Sequence, residues 1–182
     1  MSSLHTVFVL AIAFVAVFWE SAFSGVRHLL GAQIELLPSL MVYAALCTNL
    51  TTVTLLAVLG GLWFDSLSAN PLGVSMLPLF LVGLAIHVKR DLMVRNQAFA
   101  QAALGAAASL AAPLLTMLLL LTKRQTPLIG WGTLWQLVVM AAGGAVATPI
   151  CFELFGWLDR TLVHPRAEQS SFRPDREIRR GR

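Results

Sequence analysis

Six apolar segments alternate with short polar stretches along the chain. They cover about residues 6 to 24, 36 to 50, 52 to 67, 71 to 88, 97 to 121 and 131 to 158. A helix needs about 20 residues to cross the hydrocarbon core, so the second and third segments are short. We expect either that their joint lies in the head-group region or that the pair crosses where the bilayer is thinned. The pattern predicts an all-α integral membrane protein with about six transmembrane helices in one bundle; five spans are the alternative.

A polar corner interrupts the apolar pattern between the third and fourth segments. The glycine pair Gly60 and Gly61 and the acid Asp65 lie near the end of the third segment, and the turn 68–71, Ser-Ala-Asn-Pro, follows. An acid is costly in hydrocarbon, and Asn-Pro is a strong signal for a helix to stop and restart. We therefore expect a fixed helical hairpin whose corner is polar.

The composition agrees with a membrane protein. Hydrophobic residues make up 57% of the 182 residues and charged residues 12%, whereas soluble domains carry about 25% charged residues. The net charge of +4 comes from basic residues at loop ends and in the tail, without interleaved aromatic residues, so we expect no nucleic-acid partner.

The first apolar segment follows a start without Lys or Arg, which favours a retained helix over a cleaved signal peptide.

The distribution of Lys and Arg predicts the orientation. In a six-span arrangement with the N-terminus inside, 10 of the 13 Lys and Arg residues face the cytoplasm, and this bias is typical of the cytoplasmic side. Both termini are then cytoplasmic. Residues 1–163 form the transmembrane helical domain, and residues 164–182 form a basic tail, which is too polar to build a core and is predicted to be disordered.

The acids within or at the ends of apolar segments need an explanation. In the predicted orientation Glu20 and Asp65 lie towards the outer side, and Arg27 and His28 lie in the first outer loop, which gives a candidate outer-side polar cluster of Glu20, Arg27 and His28. The alternative is equally open: Glu20 reaches the head groups and Asp65 accepts backbone N–H bonds at the hairpin. For Glu153, snorkelling or pairing with Arg160 is the favoured interpretation.

The sequence offers no set of residues for catalysis. The four histidines are scattered at segment ends, without His-x-x-x-His or Glu-x-x-His spacing for a metal. Neither a Gly-x-Ser-x-Gly nucleophile motif nor a phosphate-binding loop is found. We therefore predict no catalytic residues, no metal site and no cofactor, and we expect that the protein is not an enzyme.

The fifth and sixth segments are rich in small residues. QAALGAAASLAAP at 101–113 and AAGGAVATP at 141–149 permit close approach of helix backbones. Packing within the bundle is the favoured interpretation, and a face for another subunit is the alternative. Pro113 and Pro149 are expected to kink the two helices.

The hairpin resembles that of the rod shape-determining protein MreD family of bacteria. The pattern is a glycine, then Asp-x-x-Ser, then Leu-Gly at the next helix, here Gly60, Gly61, Asp65, Ser68, Leu72 and Gly73. The segments LLPSLMVYAAL at 36–46 and TPICFELFGWLDR at 148–160 are similar to the second and closing segments of that family. The resemblance covers most of the chain outside the tail.

The resemblance implies a non-enzymatic scaffold of the cell-elongation complex in the bacterial inner membrane. Its implied partners are an MreC-like protein, a RodA-type polymerase with its transpeptidase, MreB filaments indirectly, and membrane lipid. The residues implied for partner binding, or for the structure of the hairpin, are Gly60, Gly61, Asp65, Ser68, Asn70, Pro71 and Gly73.

The family is also similar to the six-helix substrate-binding subunits of energy-coupling-factor vitamin transporters. Such a transporter subunit is the alternative function. Those subunits commonly show Ala-x-x-x-Ala in the first helix, and Ala11, Ala13 and Ala16 depart from that spacing, which weakens the alternative.

Overall fold

A computed structural model of the chain describes residues 3–22, 31–68, 71–90, 97–122 and 130–162. These residues form helices and a few non-helical stretches, without a strand among them, so the prediction of an all-α protein is confirmed over this part of the chain. The helices are α1 (Ser3–Ala22), α2 (Leu37–Cys47), α3 (Leu50–Leu67), α4 (Met76–Lys89), α5 (Ala98–Thr122) and α6 (Trp131–Leu162). Asn70, Arg27, His28 and the predicted tail at 164–182 lie outside the described residues.

Four of these helices are long and apolar enough to cross a membrane. They are α1, α3, α5 and α6, which makes the chain a multi-pass helical membrane protein. The other two, α2 and α4, have 11 and 14 residues. At 1.5 Å per residue they are about 16 and 21 Å long, shorter than a hydrocarbon core of about 30 Å.

The short helix α2 lies at the centre of the bundle. Every residue from Leu37 to Leu46 is buried, and α2 packs against α1, α3, α4, α5 and α6. A helix that is apolar on all sides is stable when other helices surround it. The connection 31–36 at its N-terminal end is less enclosed: Gly31 is exposed, Ala32 is buried and the other four residues are partly buried.

A π-helical turn interrupts α3 at Leu56–Gly60, between the α-helical parts Leu50–Leu55 and Gly61–Leu67. The two glycines at its end lie against neighbouring helices. A Cβ atom on Gly60 would lie 2.9 Å from Leu37 Cδ1, and one on Gly61 would lie 2.9 Å from the Cα and N atoms of Met76. Neither position has room for a larger residue unless its neighbour moves, so α3 approaches the backbone of α4 directly at Gly61.

The helix α4 begins later than predicted. The apolar pattern places its start at residue 71, but Leu72–Ser75 form a turn and the helix begins at Met76. Gly73 has φ of +87°, a left-handed conformation that glycine adopts at little cost. The prediction was wrong here because Leu72 and Val74 extend the apolar pattern through residues that are not helical.

The helices α5 and α6 form the most extensive helix pair of the described residues. Gly105 of α5 faces Gly144 and Thr148 of α6: an added Cβ on Gly105 would lie 2.3 Å from the Gly144 carbonyl oxygen. A Cβ on Gly144 would lie 2.1 Å from Ser109 Oγ. Small residues of the two segments therefore meet each other, which confirms packing within the bundle at these positions. Pro113 and Pro149 lie inside helices that continue past them.

Candidate functional site

Four helix ends meet at one end of the bundle: the C-terminal ends of α1 and α3 and the N-terminal ends of α2 and α4. Two carboxylates connect them. Glu20 Oε1, near the end of α1, accepts the backbone N–H of Leu36, which precedes α2. Asp65 Oδ2, near the end of α3, accepts the backbone N–H of Ser75, which precedes α4, at 3.1 Å. We call this region the hairpin end.

Asp65 is enclosed at the corner that the sequence singled out. Its side chain is 1% exposed, and its second oxygen, Oδ1, has no hydrogen-bond partner in the described part of the chain. Ser68 Oγ donates to the Asp65 backbone oxygen at 3.4 Å. A carboxylate at the start of a helix satisfies an N–H group that the helix leaves unpaired and interacts favourably with the helix dipole. Asp65 therefore links the end of α3 to the start of α4.

The remaining predicted hairpin residues lie around this link. Gly61 packs on the backbone of Met76, Gly60 packs on Leu37, and Gly73 supplies the left-handed turn. Pro71 is partly buried ahead of that turn. Asn70 is outside the described residues, so its contribution to the corner stays a prediction. A role of this corner in partner binding also stays a prediction.

The candidate outer-side polar cluster is represented by Glu20 alone, since Arg27 and His28 lie outside the described residues. One Glu20 oxygen accepts from Leu36, and the other, Oε2, is buried with no partner among the residues described. The side chain of Gln136 in α6 also reaches this end: it accepts from the Gln33 backbone N–H at 3.3 Å and donates to the Gln33 carbonyl at 3.2 Å. Side-chain bonds thus hold the connection 31–36 from two sides.

A cavity of about 170 Å³ lies between α2, α4 and α5 at the hairpin end. An engineered apolar cavity of about 150 Å³ accommodates benzene, so a group of that size fits. The lining is mostly apolar and is formed by Glu35, Leu37, Pro38, Phe64, Ser75, Pro78, Leu79, Ala112, Pro113, Thr116, Met117 and Leu120. Glu35 is the one charged residue in this lining.

Glu35 was missed by the sequence reasoning. It lies just outside the second apolar segment and was therefore not considered with the acids inside such segments. Its side chain is partly buried and has no hydrogen bond or ion pair with any described residue. An acid two residues ahead of a Leu-Pro helix start was the signal that could have drawn attention to it.

The chemistry available at the hairpin end is that of oxygen acceptors. Glu20, Glu35 and Asp65 supply carboxylates, and Ser75 and Thr116 supply hydroxyls. In the part of the chain that the structure describes, no group of three or more His, Cys, Asp or Glu side chains is placed to hold a metal ion. The arrangement is suited to stabilising a backbone corner and to accepting hydrogen bonds from a donor in the cavity.

Comparison with known proteins returned no match: no protein family, no curated protein and no solved structure matches the chain. The resemblance to the MreD family therefore rests on the residue pattern at the hairpin and on the two similar segments at 36–46 and 148–160.

Proposed function

We propose that this chain is a non-enzymatic membrane scaffold of the bacterial cell-elongation complex, involved in rod shape maintenance and peptidoglycan synthesis. The observation that carries the proposal is that residues of the MreD-like pattern together build the corner between α3 and α4. Asp65 bonds to the Ser75 N–H, Gly61 lies on the backbone of Met76, and Gly73 turns the chain between them. A sequence pattern that resembles that of a family is more informative when its residues lie together in the structure.

The outer faces of the bundle support a role in binding other membrane components. Large apolar side chains are exposed along α1, α5 and α6, including Phe14, Phe18, Leu118, Val146 and Trp157. In a membrane, such faces contact lipid tails or the helices of partner proteins. A scaffold uses these surfaces and requires no reacting group.

The proposed arrangement has six spans, with α2 and α4 crossing together with their non-helical connections. Irregular backbone is tolerated at membrane depth where protein encloses it, and Glu20 and Asp65 bond to these two connections. In this arrangement both termini are cytoplasmic in the bacterial inner membrane. The proposed partners are an MreC-like protein, a RodA-type polymerase and its transpeptidase, with MreB filaments reached indirectly.

Affinity purification tests the proposal. The full-length chain, tagged at its C-terminus and expressed in its own host, would be extracted in mild detergent, and co-purifying proteins would be quantified by mass spectrometry. A tagged, unrelated multi-pass protein at the same abundance is the control. We expect enrichment of the MreC-like protein and the RodA-type polymerase. If neither protein is enriched above the control, the scaffold function is contradicted.

The alternative is a substrate-binding subunit of an energy-coupling-factor-type vitamin transporter. The cavity beside Glu35 favours it, because a transporter subunit must hold a small molecule. The same purification separates the two functions: a paired ATPase and its coupling membrane subunit, recovered without an MreC-like protein, would support the transporter.

A further inference from the structure

We propose that the cavity at the hairpin end binds the primary-amine head group of a membrane phospholipid, with the Glu35 carboxylate as its acceptor. This inference concerns a lipid site on the chain itself. It does not rest on the scaffold function and would hold equally for a transporter subunit.

The cavity extends inward from the C-terminal end of α5, which lies at a membrane surface in the proposed arrangement. The helix α5 has 25 residues and is about 37 Å long, which exceeds the hydrocarbon core of about 30 Å. Thr116 and Leu120 line the cavity from the last two turns of α5, which ends at Thr122. At 1.5 Å per residue they lie about 9 and 3 Å from the helix end. The outer part of the cavity is therefore within reach of a lipid head group, while its inner wall at Ala112 lies about 15 Å from the helix end.

The charge of the lining selects a cation that donates hydrogen bonds. Glu35 is the one charged lining residue and has no hydrogen bond or ion pair to a described residue. A primary ammonium carries three N–H donors, and a hydrogen bond between two charged groups is about twice as strong as a neutral one. A quaternary ammonium, as in phosphatidylcholine, has no N–H donor. The site should therefore distinguish phosphatidylethanolamine from phosphatidylcholine.

The acyl chains of such a lipid have an apolar path away from the cavity. Thr116, Met117 and Leu120 are only partly buried, so the cavity opens along α5. Beside them on the same helix, Leu118 is 60% exposed and Leu121 is 46% exposed. The size of the cavity suits an ethanolamine group, while the tails lie outside on this leucine face.

A lysine from a partner's transmembrane helix carries the same ammonium chemistry. The lipid is favoured because the open side of the cavity continues into an exposed apolar face, and phosphatidylethanolamine brings an amine together with two apolar chains to that face. The experiment below includes both donors.

Native mass spectrometry of the full-length protein tests the proposal. The protein in mild detergent would be mixed with equal amounts of phosphatidylethanolamine, phosphatidylcholine and phosphatidylglycerol of identical chain length, and the lipid retained after activation would be measured. We expect roughly tenfold greater retention of phosphatidylethanolamine than of phosphatidylcholine, from one charge-assisted hydrogen-bonding site. Glu35→Gln, which removes the charge, should abolish the preference.

Two tryptophan variants of adjacent residues locate the site. Met117→Trp fills the cavity and should abolish the preference, whereas Leu118→Trp adds the same side chain to the exposed face and should retain it. Thermal unfolding of each variant checks that it is folded, and Glu35→Gln gives an independent result if Met117→Trp is not.

Equal retention of phosphatidylethanolamine and phosphatidylcholine would overturn the proposal. So would a preference that survives both Glu35→Gln and Met117→Trp, since the lipid would then bind elsewhere. Binding of a synthetic transmembrane peptide with a single lysine, dependent on Glu35 and without any phosphatidylethanolamine preference, would assign the site to a protein partner instead.

Discussion

The carboxylate of Asp65 and the backbone N–H of Ser75 are joined by a hydrogen bond of 3.1 Å across the corner between α3 and α4. Ser75 immediately precedes α4, and Asp65 lies in the last turn of α3. The bond turns an acid that would be costly in a membrane into the acceptor for a backbone group that would otherwise be buried without a partner.

Replacement of Asp65 tests this bond. Asp65→Leu should lower the free energy of unfolding by about 1–3 kcal/mol, because the Ser75 N–H loses its acceptor while it stays buried. Asp65→Asn keeps an acceptor oxygen and should lose less. Thermal unfolding in detergent and rescue of rod shape in a depleted strain are the measurements, with the exposed neighbour Ser66→Ala as control. If Asp65→Asn and Asp65→Leu fail equally, the charge itself is needed. If Asp65→Leu changes neither measurement, the bond contributes nothing.

Gly61 should be far less tolerant of substitution than its neighbour. Gly61→Leu places a side chain where a Cβ would already be 2.9 Å from the Met76 backbone, and backbone cannot rotate away. Leu62→Ile changes a side chain that is 37% exposed and should cost less than about 1.5 kcal/mol. The level of membrane-inserted protein and the rescue of rod shape would be compared. If the two variants accumulate equally, the close contact between α3 and α4 is not required.

The contact between α5 and α6 predicts a second pair of glycine variants. Gly105→Leu should force the helices apart, since a Cβ there would lie 2.3 Å from the Gly144 carbonyl oxygen. Gly132→Leu has nothing within 4 Å of its Cβ and serves as the matched control. We expect Gly105→Leu to lower the unfolding temperature by several degrees, as about 1 kcal/mol corresponds to about 2–4 °C in a chain of this size. If Gly132→Leu lowers the unfolding temperature by as much, the loss is a general effect of leucine and does not report on the contact between α5 and α6.

The orientation predicts the location of the C-terminus. An alkaline phosphatase fused after residue 182 should be inactive and a fluorescent protein at the same position should be bright, because 10 of the 13 Lys and Arg residues lie on the cytoplasmic side of the six-span arrangement. The same pair of fusions placed within residues 123–129, between α5 and α6, should give the reverse result. An active phosphatase at residue 182 would refute the orientation.

The apolar segments by themselves determined the helices. The predicted segments 97–121 and 52–67 correspond to α5 at Ala98–Thr122 and α3 at Leu50–Leu67. The agreement has a physical reason: in a membrane the backbone must satisfy its own hydrogen bonds, so a long apolar stretch has little choice but to be a helix. The sequence also determined that the corner near Asp65 would be polar and that the small residues of α5 and α6 would permit close contact.

The tertiary structure alone decided which groups those residues meet. Nothing in the sequence pairs Asp65 with Ser75 rather than with Arg27, and nothing in the pattern distinguishes the turn at Leu72–Ser75 from helix, since its apolar residues look alike in both. The π turn before Gly61 and the cavity beside Glu35 arise where α2, α3, α4 and α5 pack together. Helix formation depends on neighbours three or four residues apart, which the sequence displays. The partner of Asp65 is 10 residues away and the cavity wall runs from Glu35 to Leu120, so these residues become neighbours only when the bundle is assembled.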